Sequence, residues 1–376
     1  MITWPLTPFL RSGMVWRILF LLCLVYSIFH YTKSQGKLPK LTCGAFLFIL
    51  LLWCYNLLLG MPHFVYVRSI SITMFCACTI IFDWSLITRY REQNIRILKW
   101  VFLYLSIWNY SSFYDYLIVP GLTRDMTSGQ IQNIEELSGL SQNTVLFKFC
   151  VDFSQLYAQT LLFPISIYLT RTRLISREIG YIYILSVLLL IFNAGFSTAI
   201  ICLSIGIIGS FIYKTSTKSF CGLLLLIFSF VFFIRQTLGN LLLDWVTDPF
   251  IRYKLEYFFG DQSNTSYNFD RTELWKISMD SFFNSPFIGD GEVGGHSGIL
   301  DFFATYGIVL GFLFIALLYT PLGILYNKFK CDYQRNILLT FTLIFSICIV
   351  FNPVQFSYGV VLLGVLPLLF IKTQPT

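Results

Sequence analysis

The run SGILDFFATYGIVLGFLFIALLYT at residues 297–320 decides the fold class of this chain, and Asp301 is its one charged residue. As an α-helix rising ~1.5 Å per residue, the run would extend about 36 Å, which is enough to cross the ~30 Å hydrocarbon core of a bilayer. A transmembrane β-strand would instead alternate apolar and polar residues over about ten positions. The run therefore predicts a membrane-spanning helix.

The composition of the whole chain supports this prediction. Of its 376 residues, 56% are hydrophobic and 12% are charged, whereas a soluble domain has about 25% charged residues. Mean hydropathy is +0.71. A soluble protein of this size could not remove so much apolar surface from water, so a cytosolic enzyme, a disordered chain and a disulfide-rich secreted domain are excluded. What remains is a polytopic membrane protein.

Eleven segments are apolar and long enough to span a membrane as helices. We therefore predict an all-α fold, a transmembrane helical bundle of about 11 spans that forms one integral membrane domain over residues 1–376. The segments on either side of Asn193-Ala194-Gly195 are either two short spans joined by a tight turn, which we favour, or one long helix with a glycine kink. The predicted spans are 14–31, 41–60, 64–88, 97–118, 144–169, 179–193, 196–213, 219–235, 297–320, 336–352 and 356–372.

Lysine and arginine residues concentrate in five short connections between the predicted spans. With eleven spans all five fall on the same side, and the positive-inside rule makes that side cytoplasmic. The N-terminus is then outside, although Arg11 and Arg17 oppose this placement, and the C-terminus is inside. The five connections are 32–40, 89–96, 170–178, 214–218 and 321–335.

Two longer connections, 119–143 and 236–296, fall on the outer side. The larger carries nine acidic and four basic residues, a net charge of −5 in a chain of net charge +7. The basic excess therefore belongs to the inner connections, where it suits anionic lipid, and no segment resembles a nucleic-acid-binding module. We predict that 236–296 is partly helical, with an interfacial segment at 241–259 and a second helix after it.

The second helix of this loop is predicted from Asp270-Arg271-Thr272-Glu273, in which Asp270 caps the helix and Glu273 completes a variant of the capping box. The helix should end before Pro286, because the residue before a proline disfavours helical geometry. Its apolar residues should line one face: Trp275, Met279 and Phe282.

Ionisable residues in the outer halves of the predicted spans suggest a site, because such residues are costly in a membrane and usually have a function. Lys148 and Asp152 are four residues apart and can pair on one helix face. The set predicts a polar cavity that opens outward, and the alternative is a group of boundary residues that reach water. The ionisable residues are Arg68, Asp115, Lys148, Asp152 and Arg235.

Uncharged polar residues extend the same face. Tyr110 lies in an aromatic and hydroxyl-rich segment with Asp115, and Gln155, Tyr157 and Gln159 follow Asp152. Amides and aromatic hydroxyls of this kind suit sugar ligands, which are bound by hydrogen bonds and by stacking on rings.

Five glycines in residues 289–298 make a loop whose backbone can approach a ligand closely. The loop leads directly into span 297–320, so His296 lies beside a helix N-terminus, where exposed N–H groups attract anions and keep an imidazole neutral. A neutral histidine can accept a proton. The alternative is a flexible surface loop with an incidental histidine. The spacing of Gly307 and Gly311 indicates close helix packing.

Residues 271–311 resemble the signature of bacterial O-antigen polymerases (Wzy type) and O-antigen ligases. The matching elements here are Arg271, Trp275, the segment Ser285-Pro286-Phe287-Ile288-Gly289-Asp290-Gly291, the pair His296-Ser297, and the glycines Gly307 and Gly311. The large outer loop before one of the last three spans is also typical of this family. The family has His-Asn where this chain has His296-Ser297.

The resemblance implies a polymerase that acts at the periplasmic face of the bacterial inner membrane. Its donor and acceptor would be oligosaccharide repeat units linked to undecaprenyl diphosphate, and its product would be lipopolysaccharide O-antigen with release of undecaprenyl diphosphate. In this assignment His296 is the base for the attacking sugar hydroxyl, and Arg271 binds the departing diphosphate with help from Arg252, Arg235 and Arg68. Asp301 could orient the imidazole.

The resemblance also assigns the outer polar cavity to sugar binding, through Asp115, Tyr110, Lys148, Asp152 and Gln155. A separate chain-length regulator protein is an expected partner, besides membrane lipid. No cofactor is implied, and because the sequence has no Asp-x-Asp pair we expect metal-independent chemistry.

Two alternatives stay open. One is an O-antigen ligase, which transfers finished polymer to the lipid A core. Ligases often carry Ser-Arg-Thr/Gly at the start of an earlier span, where this chain has Gly195-Phe196-Ser197-Thr198-Ala199 without an arginine. The other is a flippase or transporter of lipid-linked sugars, which should show internal repeats and polar sites near the midplane of the membrane.

Overall fold

The computed structural model describes residues 25, 29, 32–33, 40–59, 91–118, 153–194, 197–245, 266–295 and 297–351. This part of the chain contains nine α-helices and no β-strand, which confirms the all-α class. The helices are α1 Lys40–Leu59, α2 Arg91–Ile118, α3 Phe153–Arg171, α4 Arg177–Ala194, α5 Ser197–Ile212, α6 Thr217–Trp245, α7 Ser266–Asn284, α8 Gly298–Lys328 and α9 Asp332–Phe351.

Two of these helices, α8 and α9, are long and apolar enough to cross a membrane by length and composition alone. Three shorter apolar helical stretches lie at Cys43–Leu58, Thr198–Ile212 and Thr217–Phe230. The count of about eleven spans stays a prediction, because the predicted spans 64–88 and 356–372 and most of 14–31 lie outside the described residues.

Helices α3, α4 and α5 settle the choice between two spans and one kinked helix. The start of α4 contacts the end of α3, where Gly180 lies against Thr170. The end of α5 also contacts the end of α3, since the Arg171 guanidinium donates to the Ser210 carbonyl at 2.5 Å. The chain therefore leaves this end of α3 along α4 and returns to it along α5. The preferred prediction of two helices with a tight reversal is confirmed.

Three short connections meet at one end of this bundle. Asn336, at the start of α9, donates to the carbonyls of Tyr213 and Thr215 at 2.9 and 2.8 Å, and so caps the end of α5. Thr217 donates to Asp332 at 3.1 Å. Together with the contact between α3 and α5, these bonds bring the predicted basic connections 170–178, 214–218 and 321–335 to the same end. We call this end the basic end.

The core of the bundle holds buried polar side chains among its apolar ones, and many other large apolar side chains lie on the outside. Asn109 of α2, Gln159 of α3, and Tyr183 and Ser186 of α4 are fully buried. They form a connected network: Gln159 donates to Asn109 at 2.8 Å, Asn109 to Ser186 at 3.1 Å, and Tyr183 to Gln159 at 2.5 Å. Many Phe and Leu side chains are exposed instead. Burial of polar groups and exposure of apolar ones is what helices in lipid require.

Several predicted boundaries were too short, because apolar length marks only the part of a helix that suits hydrocarbon. Helix α2 begins at Arg91 and not at residue 97, α6 continues to Trp245 beyond 235, and α8 continues to Lys328 beyond 320. Helix α6 therefore takes in the first residues of the predicted interfacial segment 241–259, and residues 246–265 lie outside the described part.

The predicted capping box at Asp270 is wrong, because α7 already begins at Ser266. Asp270 and Glu273 are the fifth and eighth residues of α7, beyond its first turn, so neither residue caps the helix. The prediction that this helix ends before Pro286 is confirmed, since the last residue of α7 is Asn284.

Candidate functional site: the glycine-rich connection between α7 and α8

The glycine-rich connection docks into a break in helix α8. Gly307 has φ 70° and ψ −176°, which divides α8 into residues 298–306 and 308–328. The break leaves the N–H of Ile308 without an acceptor inside the helix. This N–H donates to the Pro286 carbonyl at 2.7 Å, so the connection supplies the missing acceptor. On the other side, Asp290 N–H donates to the Ala304 carbonyl at 2.9 Å. The predicted span 297–320 is thus not one straight helix.

Ring contacts show that the two halves of α8 are bent sharply toward each other. Phe302 and Phe314 stack with their centroids 4.2 Å apart. Twelve residues of straight helix would separate them by about 18 Å along the axis. Phe303 similarly meets Phe312 at 5.6 Å, and its ring lies against Gly311. The predicted role of Gly307 and Gly311 in close helix packing is therefore corrected. Gly307 makes the bend, and Gly311 leaves room for the Phe303 ring of the same helix.

Two glycines of the docked segments have no room for a side chain. A Cβ on Gly307 would overlap the carbonyl of Phe287, and a Cβ on Gly289 would overlap the carbonyl of Thr305. Both residues also have positive φ, 70° and 82°, which L side chains rarely adopt. The Ser-Pro-x-x-Gly element and the later glycine of the signature thus fit against each other in space.

A buried carboxylate is linked to the residues on both sides of His296. Asp301 accepts from the Ser278 hydroxyl at 2.6 Å and from the Ser297 N–H at 3.2 Å. The Ser278 oxygen in turn accepts from the Gly294 N–H at 2.9 Å. Gly294 and Ser297 lie on either side of Gly295 and His296, so both flanks are linked to one side chain. We call Asp301, Ser278, Gly294 and Ser297 the carboxylate clamp.

Ser297 also begins helix α8. Its backbone is extended, and its hydroxyl accepts from the Leu300 N–H at 3.3 Å, which makes it the N-cap. Serine and asparagine are about equally good N-caps. The difference between His-Ser in this chain and His-Asn in the resembled signature therefore falls at a position where both residues can serve as the cap.

Helix α7 faces α8 differently from the prediction. Ser278 and Ser281 are buried, Trp275 packs on Phe351 of α9 at 5.4 Å, and Phe282 packs on Phe303 of α8 at 5.8 Å. Met279, predicted on this face, is exposed. The inner face therefore centres on two serines. Hydrophobic spacing did not reveal them, because serine is mostly exposed in proteins and carries no hydrophobic signal.

Most of the predicted site residues lie outside the described part or have no described side chain. Tyr110 is the exception: it is partly buried and donates to the Ile182 carbonyl at 3.3 Å. Their meeting at one site therefore stays a prediction. His296, Arg252, Arg68, Lys148 and Asp152 lie outside the described residues, and Arg271 on α7, Arg235 on α6, Asp115 on α2 and Gln155 on α3 are described as helical backbone alone.

The predicted polar face of α3 is partly wrong. Tyr157 and Gln159 are buried in the helical core, and both polar ends of the Gln159 amide have partners on neighbouring helices. They hold helices together and do not line a cavity. The sequence could not separate these roles, because a buried partner and an exposed site residue look alike in one chain.

Within the described residues, His, Cys, Asp and Glu form no group of three that could hold a metal ion. The six cysteines of this part are free thiols, and the closest described pair, Cys202 and Cys348, has its sulfurs 4.0 Å apart.

Comparison with known protein families, curated proteins and solved structures finds no match to this chain.

Proposed function

We propose that this protein is an O-antigen polymerase, a glycosyltransferase of the inner membrane that joins oligosaccharide repeat units carried on undecaprenyl diphosphate. One observation supports this most: the segments that resemble the polymerase signature, from Ser285 to Gly307, contact one another through the break in α8 and the carboxylate clamp. Irregular backbone inside a membrane protein is tolerated where it is buried in protein or lines a cavity, and broken helices often form binding sites.

The chemistry of the proposal assigns a role to each predicted site residue. The bond between the anomeric carbon of the donor chain and its diphosphate oxygen breaks, and a hydroxyl of the acceptor sugar bonds to that carbon. His296 takes the proton of this hydroxyl, and undecaprenyl diphosphate leaves. Its increasing negative charge needs fixed cations, for which Arg271 offers two parallel donors. Arg252, Arg235 and Arg68 are the candidates for further contact.

The proposed topology places this chemistry on the periplasmic side. The break at Gly307 and the basic end lie at opposite ends of residues 308–328. If the basic end faces the cytoplasm, as the positive-inside rule requires, the docked connection faces outward. Asp115, Tyr110, Lys148, Asp152 and Gln155 would then bind sugars, and a chain-length regulator would be a partner. An eleven-span bundle belongs to the same proposal.

Replacement of His296 by Ala tests the assignment in cells. Removal of a general base costs typically 10²–10⁴-fold in rate, so the variant should produce lipopolysaccharide with a single repeat unit and no ladder on gels. His30→Ala is the matched control, since this histidine lies in the predicted span 14–31, away from the resembled signature. A normal ladder from the His296 variant at equal expression would refute the catalytic role.

Replacement of Arg271 by Lys tests the diphosphate contact. A lysine keeps the charge but loses the two parallel donors, so the ladder should be lost or much shortened, whereas Arg173→Lys at the exposed basic end should leave it unchanged. Full activity of the Arg271 variant would mean that charge alone suffices.

A ligase and a transporter give different results in the same cells and vesicles. Loss of a ligase leaves polymer on undecaprenyl diphosphate, whereas loss of a polymerase leaves none. Purified protein supplied with lipid-linked repeat units should form polymer, with or without a chelator. Transfer of those units across vesicles without polymer would favour a flippase.

A further inference from the structure

The end of helix α7 and the turn after it expose a group of apolar side chains beside the break in α8. Phe283, Phe287 and Ile288 are 67%, 74% and 53% exposed. The connection that carries Phe287 is fixed in place by the bond from Ile308 to Pro286 and by the fit of Phe287 against Gly307. These side chains are therefore held outward by an ordered backbone.

This apolar group is continuous with the outer face of α8. Phe283 contacts Phe282 with their ring centroids 5.6 Å apart, Phe282 contacts Phe303 at 5.8 Å, and Phe303 contacts Phe312 at 5.6 Å. Phe312 is itself 61% exposed on the longer half of α8, near the exposed Val309. Ring contacts thus link Phe283, at the end of α7 beside the connection, to an exposed face of a helix long and apolar enough to cross a membrane.

The exposed part of α7 carries a charged ridge with apolar side chains on both sides, Ile277 on one and Met279 with Phe283 on the other. Met279 and Phe283 lie on one side of the helix, at a spacing of one turn. Glu273, Lys276 and Asp280 lie on the next side and are all exposed. A helix with a charged ridge between apolar side chains is suited to the boundary between acyl chains and water.

We propose that Phe283, Phe287 and Ile288 form a membrane anchor that inserts into the acyl chains of the bilayer and holds the glycine-rich connection at the lipid surface. This inference rests on the membrane location within the proposed function. The acyl region is chosen as the occupant because the anchor continues an apolar face of α8 that has the composition of a lipid-facing surface. A lipid-linked substrate would then meet His296 and Arg271 without leaving the membrane.

Site-specific photocrosslinking of the full chain tests the anchor. The residue p-benzoylphenylalanine, which keeps an aromatic side chain, replaces Phe287 in protein reconstituted in vesicles of phosphatidylethanolamine and phosphatidylglycerol. After illumination, mass spectrometry should find phospholipid adducts at this position. The same residue at Phe312 is the positive control, and at the exposed Glu292 of the glycine-rich loop it should give no lipid adduct. Replacement of Phe283 gives a second position if the first variant does not fold.

The possible results separate the anchor from the proposed function. Adducts at Phe312 but not at Phe287 or Phe283 would overturn the anchor and leave the membrane location intact. Crosslinks between two protein chains in place of lipid would overturn it in favour of self-association. Adducts that form after addition of a polyprenyl diphosphate, and not with phospholipid alone, would overturn it in favour of a carrier-binding surface. Absence of adducts at Phe312 as well would remove both the anchor and the membrane location.

Discussion

Replacement of Gly307 by Ala tests the break in helix α8. At φ 70° and ψ −176° the backbone of Gly307 lies in a region that is close to glycine-specific, and a side chain there costs about 1–3 kcal/mol. The new Cβ would also overlap the Phe287 carbonyl. Displacement of the connection breaks the bond from Ile308 to Pro286, which contributes about 1 kcal/mol. We expect the free energy of unfolding to fall by about 2–4 kcal/mol.

Gly323→Ala in the same helix is the matched control. Gly323 lies in regular helix, and a Cβ there meets no atom within 4 Å. Alanine should therefore stabilise the protein by about 0.5–1 kcal/mol, because glycine loses more backbone freedom on folding. The two Gly→Ala changes thus have opposite expected signs within one helix.

The assay is thermal unfolding of purified protein in detergent, followed by the loss of the monodisperse peak. The Gly307 variant should unfold at a lower temperature than the native protein, and the Gly323 variant at the same or a higher one. The Gly307 variant should also lose polymer formation, since its connection cannot dock. A Gly307 variant with native unfolding temperature and native activity would refute the break and the docking derived from it.

Three further predictions concern buried polar groups. Asp301→Ala leaves the Ser278 hydroxyl and the Ser297 N–H without their acceptor, at about 1–3 kcal/mol each, so the unfolding temperature should fall, whereas Asp280→Ala on the exposed face of α7 should change it little. Ser297→Asn should keep the N-cap and full polymer length on gels, whereas Ser297→Ala should cost about 1 kcal/mol; equal behaviour of the two variants would contradict the cap. Gln159→Leu leaves the buried Asn109 carbonyl without its donor and the Tyr183 hydroxyl without its acceptor, and it should cost about 2 kcal/mol or more. The measurement is the yield of folded protein, which should fall; a native yield would mean that the network does not stabilise the bundle.

Helix positions could be read from the sequence because apolar runs of helical length have few alternatives. The predicted segment 41–60 corresponds to α1, and the reversal near Gly195 was preferred correctly, since a tight turn suits two short apolar helices. Helix ends were less accurate. Charged turns such as the one before residue 97 continue a helix beyond its apolar part, and hydropathy does not register them.

The catalytic assignment of the candidate site stays a prediction, and the structure describes only its surroundings. The glycine-rich loop and His296 were selected by sequence, and the structure shows what fixes the loop around that position. Ser278 was missed, because its contact with Asp301 joins residues 23 positions apart and the sequence around it carries no distinguishing pattern. The polar residues of α3 were assigned to a cavity, whereas Gln159 is buried among other helices.

The sequence by itself determined the helical class, the approximate helix positions and the concentration of basic residues in short connections, because hydrophobic length and charge act locally along the chain. Tertiary structure alone decided that the apolar segment 297–320 is broken at Gly307, that two serines of α7 face inward, and that Asp301 is linked to the residues on both sides of His296. These features depend on which distant residues meet. Glycine permits the backbone angles of the bend. The bend also requires an acceptor for the Ile308 N–H, which the distant Pro286 carbonyl provides.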